Sequence, residues 1–269
     1  MSTNYISYDE ITQSLVESFS HYESKQTFIH SYPNEMLLYR SHFIEWLIFL
    51  NKTLSFRTET LFRAITIFDI YISKLKKFNL NETKLALIAC LNISTKLEEV
   101  NVNFLKFFTE RCLNEENQPQ GFTSCDLAKK EIEVLKALNF RTNYTTPYDL
   151  LSVFQQLCLN IFKNDFNKTN FIINISEDIL INCLYDQNYI YLCPKQIALF
   201  TINQTLSQLS MYNDSFIANL IWSSLFNFNT NNLTNQEMMS KQYLTTNSKS
   251  PIQTKKTINT ASPMKIQAM

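Results

Sequence analysis

From Met36 to Ser224 the chain repeats one pattern, apolar residues three and four apart with polar turn signals between the runs. In residues 36–50, Leu37, Arg40, Ile44, Leu47 and Ile48 fall on one stripe, the spacing of a helix face. Residues 58–74 repeat it with Phe62, Ile65, Asp69 and Ile72. A third helix is predicted after Asn81, a good N-cap, with Glu82 in the first turn where an acid suits the helix dipole. Its middle, Leu85 through Ile93, is apolar nearly all round, which marks a helix buried on most sides. It ends in the charged run Lys96-Leu97-Glu98-Glu99. A short helix over 102–113 and the polar loop NEENQPQG follow. Thr123 then caps a fifth helix with Asp126 reaching back, striped by Leu127, Glu131, Val134, Leu135 and Leu138.

After Phe140 the stretch RTNYTT reads as a linker, and Thr146, Pro147 and Asp149 supply the N-cap, first-turn proline and third-position acid of a new helix. Its stripe is Leu150, Phe154, Leu157 and Ile161. Further helices are predicted over 171–185, from Pro194 through Ile197, Ala198, Thr201 and Leu209, and over 213–226. The prediction is an all-α chain: an N-terminal extension over 1–35, a first helical unit over 36–142 and a second over 143–228. From 229 the residues turn to Asn, Thr, Ser, Gln and Lys, and a disordered tail over 229–269 is expected.

Composition narrows the chemistry. The 269 residues include one glycine, Gly121, which leaves none of the phosphate-cradling or nucleophile-elbow motifs that use several. Two-residue β-hairpins also lean on glycine, so the count favours helices. The 24 basic and 24 acidic residues cancel, which removes the simplest electrostatic case for binding nucleic acid. The zero is a sum of unlike parts. The tail has lysines at 241, 249, 255, 256 and 265 against Glu237, so it is basic and the helical body mildly acidic.

Cys90, Cys112, Cys125, Cys158, Cys183 and Cys193 show no CxxC, and His21, His30 and His42 all precede them. They read as reduced core thiols rather than metal ligands or a disulfide framework, and no cofactor is expected. No run reaches the length of a membrane span, and the first ten residues carry acids without an apolar core. Nucleus or cytoplasm is the expected compartment.

The informative residues are charges on apolar stripes. A buried charge left alone costs several kcal/mol, so each needs a partner. Arg40 and Asp69 suit an internal bridge between the first two helices. Lys96 and Glu131 admit two readings, an ordinary internal bridge or a pair of polar heads gripping the ends of a partner helix.

The run Arg40-Ser41-His42-Phe43-Ile44-Glu45-Trp46-Leu47, then Glu59-Thr60-Leu61 to Ile67-Phe68-Asp69, Thr95-Lys96-Leu97-Glu98-Glu99, and Thr123 to Glu131 with Leu135-Lys136-Ala137-Leu138-Asn139-Phe140, resembles the cyclin box in order and spacing. Thr146-Pro147 and Tyr189-Ile190-Tyr191-Leu192-Cys193-Pro194 are similar to the C-terminal cyclin fold, with Lys195 in place of the usual serine. The resemblance implies two tandem five-helix cyclin folds. It implies that Arg40 and Asp69 form a buried structural pair, and that Lys96 and Glu131 contact the regulatory helix of a cyclin-dependent protein kinase, with Ile93, Leu97, Leu135 and Phe140 packing on it. The chain would then be a non-catalytic kinase activator in cell-cycle control.

Departures from the family pattern bear on substrate docking. The family's docking groove carries Met-Arg-x-x-Leu before a tryptophan, whereas Tyr39 and Phe43 stand here with Trp46 retained. Trp46 and Phe43 are candidate docking residues in a reshaped groove. In the tail, Ser262-Pro263-Met264-Lys265 has the form favoured by proline-directed kinases, and Ser250-Pro251 is a minimal form. The rival reading is a cyclin-like interaction protein in transcription, either a transcriptional cyclin or a kinase-free two-repeat factor. The kinase-free factor would want a basic DNA-facing surface, which the composition does not supply.

Overall fold

The computed structural model describes Glu17 and residues 29–75, 79–100, 122–162 and 165–211. Among these residues the structure is all-helical, with seven α-helices, one 3-10 helix and no strand. The helices are α1 (Asn34–Thr53), α2 (Thr58–Ser73), α3 (Leu80–Glu98), α4 (Ser124–Ala137), α5 (Pro147–Ile161), α6 (Phe166–Cys183) and α7 (Pro194–Met211), with the 3-10 turn Gln187–Tyr191 between the last two. The helices expected over 102–113 and 213–226 and the tail lie outside the described residues.

Local chemistry accounts for most boundaries. Thr123 and Asp126 close a reciprocal capping box on α4, and Thr146 and Asp149 close another on α5 with Pro147 in its first turn. Three starts differ from expectation, the first being α1, which opens at Asn34 rather than 36. Helix α3 begins at Leu80 rather than after Asn81, because the Asn79 carbonyl already accepts from the Thr83 N–H at 2.9 Å. Helix α6 begins at Phe166, ahead of the expected 171, because the Asp165 carboxylate accepts from the Lys168 N–H at 3.0 Å and caps it.

Many helices close on a left-handed residue, usually glycine, and glycine is absent where α1 and α4 end. Ser55 (φ 55°) and Asn139 (φ 51°) take that conformation instead. The six-residue closures are then made by the Phe56 N–H donating to the Asn51 carbonyl at 3.0 Å and the Phe140 N–H donating to that of Leu135 at 2.7 Å.

Helix α3 is the centre of the first set, packed between α2 and α4, and every residue from Leu85 to Ile93 is buried. In the second set α7 packs on α5 and α6. The two sets meet where α2 contacts α5, with the Phe62 and Tyr148 rings stacked at 5.8 Å between centroids and 16° between planes. One hydrophobic core therefore runs from Tyr32 to Leu206.

Candidate functional site

The buried charge pair comes first because it orients α1 on α2. Arg40 Nε donates to Asp69 Oδ1 at 3.0 Å and Nη2 to Oδ2 at 2.9 Å, a two-pronged contact with both side chains buried. The Tyr32 hydroxyl donates to the same Oδ1 at 3.0 Å. Burial disfavours the Arg40 cation, yet the Asp69 carboxylate more than offsets this and holds its pKa above the ordinary value. Arg40 also reaches the second helical set, since Nη1 donates to the Leu184 carbonyl at 2.6 Å and the guanidinium carbon lies 5.4 Å from the centre of the Tyr189 ring. Neither of those contacts was expected from sequence, and they give the aromatic run around Tyr189 a structural use.

Lys96 and Glu131 sit at the other charged position. Lys96 Nζ donates to Glu131 Oε2 at 2.6 Å, joining the last turn of α3 to the middle of α4. The lysine side chain is 50% exposed and the glutamate 12%, so the pair lies at the surface with the ammonium outward. Ammonium hydrogens beyond the one given to Glu131 remain for another acceptor.

The four apolar candidates divide by depth. Leu97 is 51% exposed and Phe140 66%, as Leu38 and Phe166 also are to a similar degree. Leu135 is partly buried against the core, and Ile93 is 5% exposed. Ile93 thus serves as floor rather than contact surface. Phe140 is held out by its backbone. It follows the left-handed Asn139 and is itself left-handed (φ 56°), a conformation that costs a residue with a Cβ about 1–2 kcal/mol. The Arg141 N–H donating to the Leu138 carbonyl at 3.0 Å completes this double turn.

The docking candidates are not on one surface. Phe43 is 4% exposed and packs its ring at 6.1 Å from that of Phe68, so it faces the core and presents nothing to a docked segment. Trp46 is partly buried against the same core. Ser262 and Ser250 lie outside the described residues. Among the described residues no group of three or more His, Cys, Asp or Glu is placed to hold a metal ion, and no helix is long and apolar enough to cross a membrane.

Matches to known proteins agree with this arrangement. The family described as the N-terminal domain of cyclins matches residues 10–143. Over 183 residues the chain is 22% identical to cyclin-D3-3 of Arabidopsis thaliana, covering 67% of this chain and 48% of that protein. It is 30% identical over 112 residues to G2/mitotic-specific cyclin-2 of Saccharomyces cerevisiae, covering 42% of this chain and 21% of that protein. The structure superposes on that of a viral cyclin from Herpesvirus saimiri with a TM-score of 0.55 at 16% identity, covering 88% of this chain and 93% of that one.

This chain is a cyclin-box protein.

It spans about half or less of the length of these curated cyclin relatives, while the fold likeness to the viral cyclin extends over both helical sets. Within the cyclin fold a second polar cluster went unnoticed in the sequence. Arg63 on α2 bridges Glu98 and Asp149, at 2.9 and 3.4 Å, and donates to the Tyr144 carbonyl. The signal was available, because Arg63 lies four residues before Ile67 and seven before Ile70, on one apolar stripe of the helix. Burial raises the Asp149 carboxyl above its ordinary value although Arg63 and the Thr146 cap pull it down.

Proposed function

We propose that this cyclin-box protein is a regulatory subunit that binds a cyclin-dependent serine/threonine protein kinase and activates it allosterically, in control of cell division. The observation that carries the reading is the Lys96–Glu131 pair joining the end of α3 to α4, with the large apolar side chains of Leu97, at the end of α3, and Phe140, just past the end of α4, exposed. Leu97 and Phe140 would pack on the regulatory helix of the kinase with Leu135 beneath. Lys96 and Glu131 would satisfy the backbone groups that a helix leaves open at its ends.

Activation follows from differential binding. A protein kinase works only when the Lys–Glu pair of its β3 strand and C-helix is made and the activation loop is in place. A partner that binds this arrangement more tightly than the inactive one shifts the population toward it by that difference alone. The cyclin-box protein contributes no catalytic group in this scheme. The division role draws support from the likeness to the G2/mitotic-specific cyclin-2 of Saccharomyces cerevisiae.

The test is co-purification and kinase activity with Lys96→Ala and Glu131→Ala combined. Loss of the kinase from the purified complex, with the helical circular-dichroism signal intact, is the expected result. Undiminished kinase recovery and activity would overturn the proposal.

A further inference from the structure

Arg63 has no direct part in the surface just described. It is 9% exposed and lies in the middle of α2, too deep to touch a bound protein. Its guanidinium nevertheless meets three separate segments. Nε donates to Glu98 Oε1 at 2.9 Å, Nη1 donates to the Tyr144 carbonyl, and Nη2 lies 3.4 Å from Asp149 Oδ1. These are the end of α3, the connection between the two helical sets, and the first turn of α5.

Glu98 directly follows Lys96 and Leu97 in the chain. A helix end leaves its last carbonyls without intrahelical partners and frays unless something holds it. Here α2 holds it from below. The Arg57 side chain donates to the Glu98 carbonyl at 2.5 Å, while the Arg57 N–H and the Thr60 hydroxyl donate to Glu99 Oε1 at 2.9 and 2.5 Å. Arg57 is half exposed and contributes as a surface group does. Arg63 is the buried member, and it also connects this turn to the second set. Asp149 is fixed in turn, since it accepts from the Thr146 N–H at 2.7 Å in the α5 capping box.

We infer that Arg63 is a positioning residue of the partner-binding face: it holds the Lys96–Leu97 turn at a fixed height on α2 and couples that turn to the start of the second helical set through Tyr144 and Asp149. The inference rests on the reading of that face given above. A turn ordered before binding loses less conformational freedom when a partner docks, so part of the affinity resides in a side chain the partner never touches. The planar fork matters as well as the charge, because three segments are met at once by donors in fixed directions.

The experiment measures dissociation constants by calorimetry between the full chain and the cyclin-dependent kinase recovered with it, expressed and purified. Arg63→Met is expected to weaken binding about tenfold, and Arg63→Lys to recover part of the loss. The effects of Arg63→Met and Leu97→Ala should fall short of additivity, since both act on one turn, whereas those of Arg63→Met and Phe140→Ala should add. Ile72→Val, a core change on the same helix, should lower the melting temperature and leave the dissociation constant alone. An unchanged constant for Arg63→Met, full additivity with Leu97→Ala, or an equal loss in Ile72→Val would overturn the inference.

If Arg63→Met does not fold, Glu98→Gln replaces it in the same comparisons, because the amide keeps the size and one acceptor while removing the charge. The two proposals fail differently. Normal kinase binding by Lys96→Ala, Leu97→Ala and Phe140→Ala, or no kinase recovered, removes the binding face itself and the positioning role with it. Loss in those three beside unchanged binding in the Arg63 variants removes only the positioning role.

Discussion

Arg40 is a cation with no route to water, and its surroundings show what such a residue needs. Asp69 supplies both carboxylate oxygens, Leu184 a carbonyl and Tyr189 a ring face. Removing one member of a pair at that depth leaves the other charge uncompensated, at a cost of about 3–5 kcal/mol. Arg40→Met is therefore expected to lower the urea midpoint severely, and Arg40→Met with Asp69→Leu to recover much of the loss. Equal midpoints for the single and double variants would contradict that account. The pair was legible because each residue stands on an apolar stripe. Leu184 was not, because a backbone carbonyl separated by 144 positions leaves no mark in the sequence. The thiols give a second expectation at this scale. Burial pushes Cys158 and Cys183 up to about 12, whereas Cys125 is exposed. Since the thiolate is the reacting form, iodoacetamide should label Cys125 in the native protein and Cys158 and Cys183 only after unfolding, as read by peptide mass mapping.

Among the elements, the starts of α4 and α5 were readable from their capping boxes and that of α2 from its apolar stripe, whereas the start of α6 was displaced. Thr123 with Asp126 and Thr146 with Asp149 stand where the sequence put them, because a side chain that reaches back to its own backbone is a local signal. The start of α6 was missed because Phe166 to Asn170 is too polar to show a stripe, and the Asp165 cap alone decides it. Between α2 and α4, Glu133 accepts from Tyr71 at 2.5 Å and from Lys130 at 2.7 Å. Burial pushes its carboxyl up, but these two donors more than offset that and hold it below its ordinary 4.5. On acidification the unfolded chain therefore takes up this proton first, and the contribution present above 4.5 is lost as pH falls through the lower folded value. The gap in urea midpoint between wild type and Glu133→Gln should be widest near neutrality and close on the acid side. A gap independent of pH would show that Glu133 acts through packing alone.

Across the whole molecule, the proposed binding role of Phe140 can be measured apart from its effect on stability. Two helical sets share one core and are tied together by buried charges on α1 and α2, so the scaffold can carry a strained residue at the end of α4 without unfolding. The left-handed backbone at Phe140 is set by the hydrogen bonds that close the turn on Leu135 and Leu138, and the proposed kinase contact would give its exposed ring a partner. The sequence held the pattern around Phe140 but not its conformation, because a positive φ at an aromatic residue is decided by the closure of the turn and the packing of Leu138. Phe140→Gly separates the two quantities. Glycine adopts φ 56° without the steric penalty, offset in part by its freedom in the unfolded chain. The variant should match or exceed wild type in stability, by about 0–1 kcal/mol. Kinase binding should fall by about 100-fold or more, the loss expected of a buried aromatic anchor. Thermal unfolding and calorimetric titration on one preparation read both. A variant destabilised and bound as before would mean that the Phe140 ring serves the fold and not the interface.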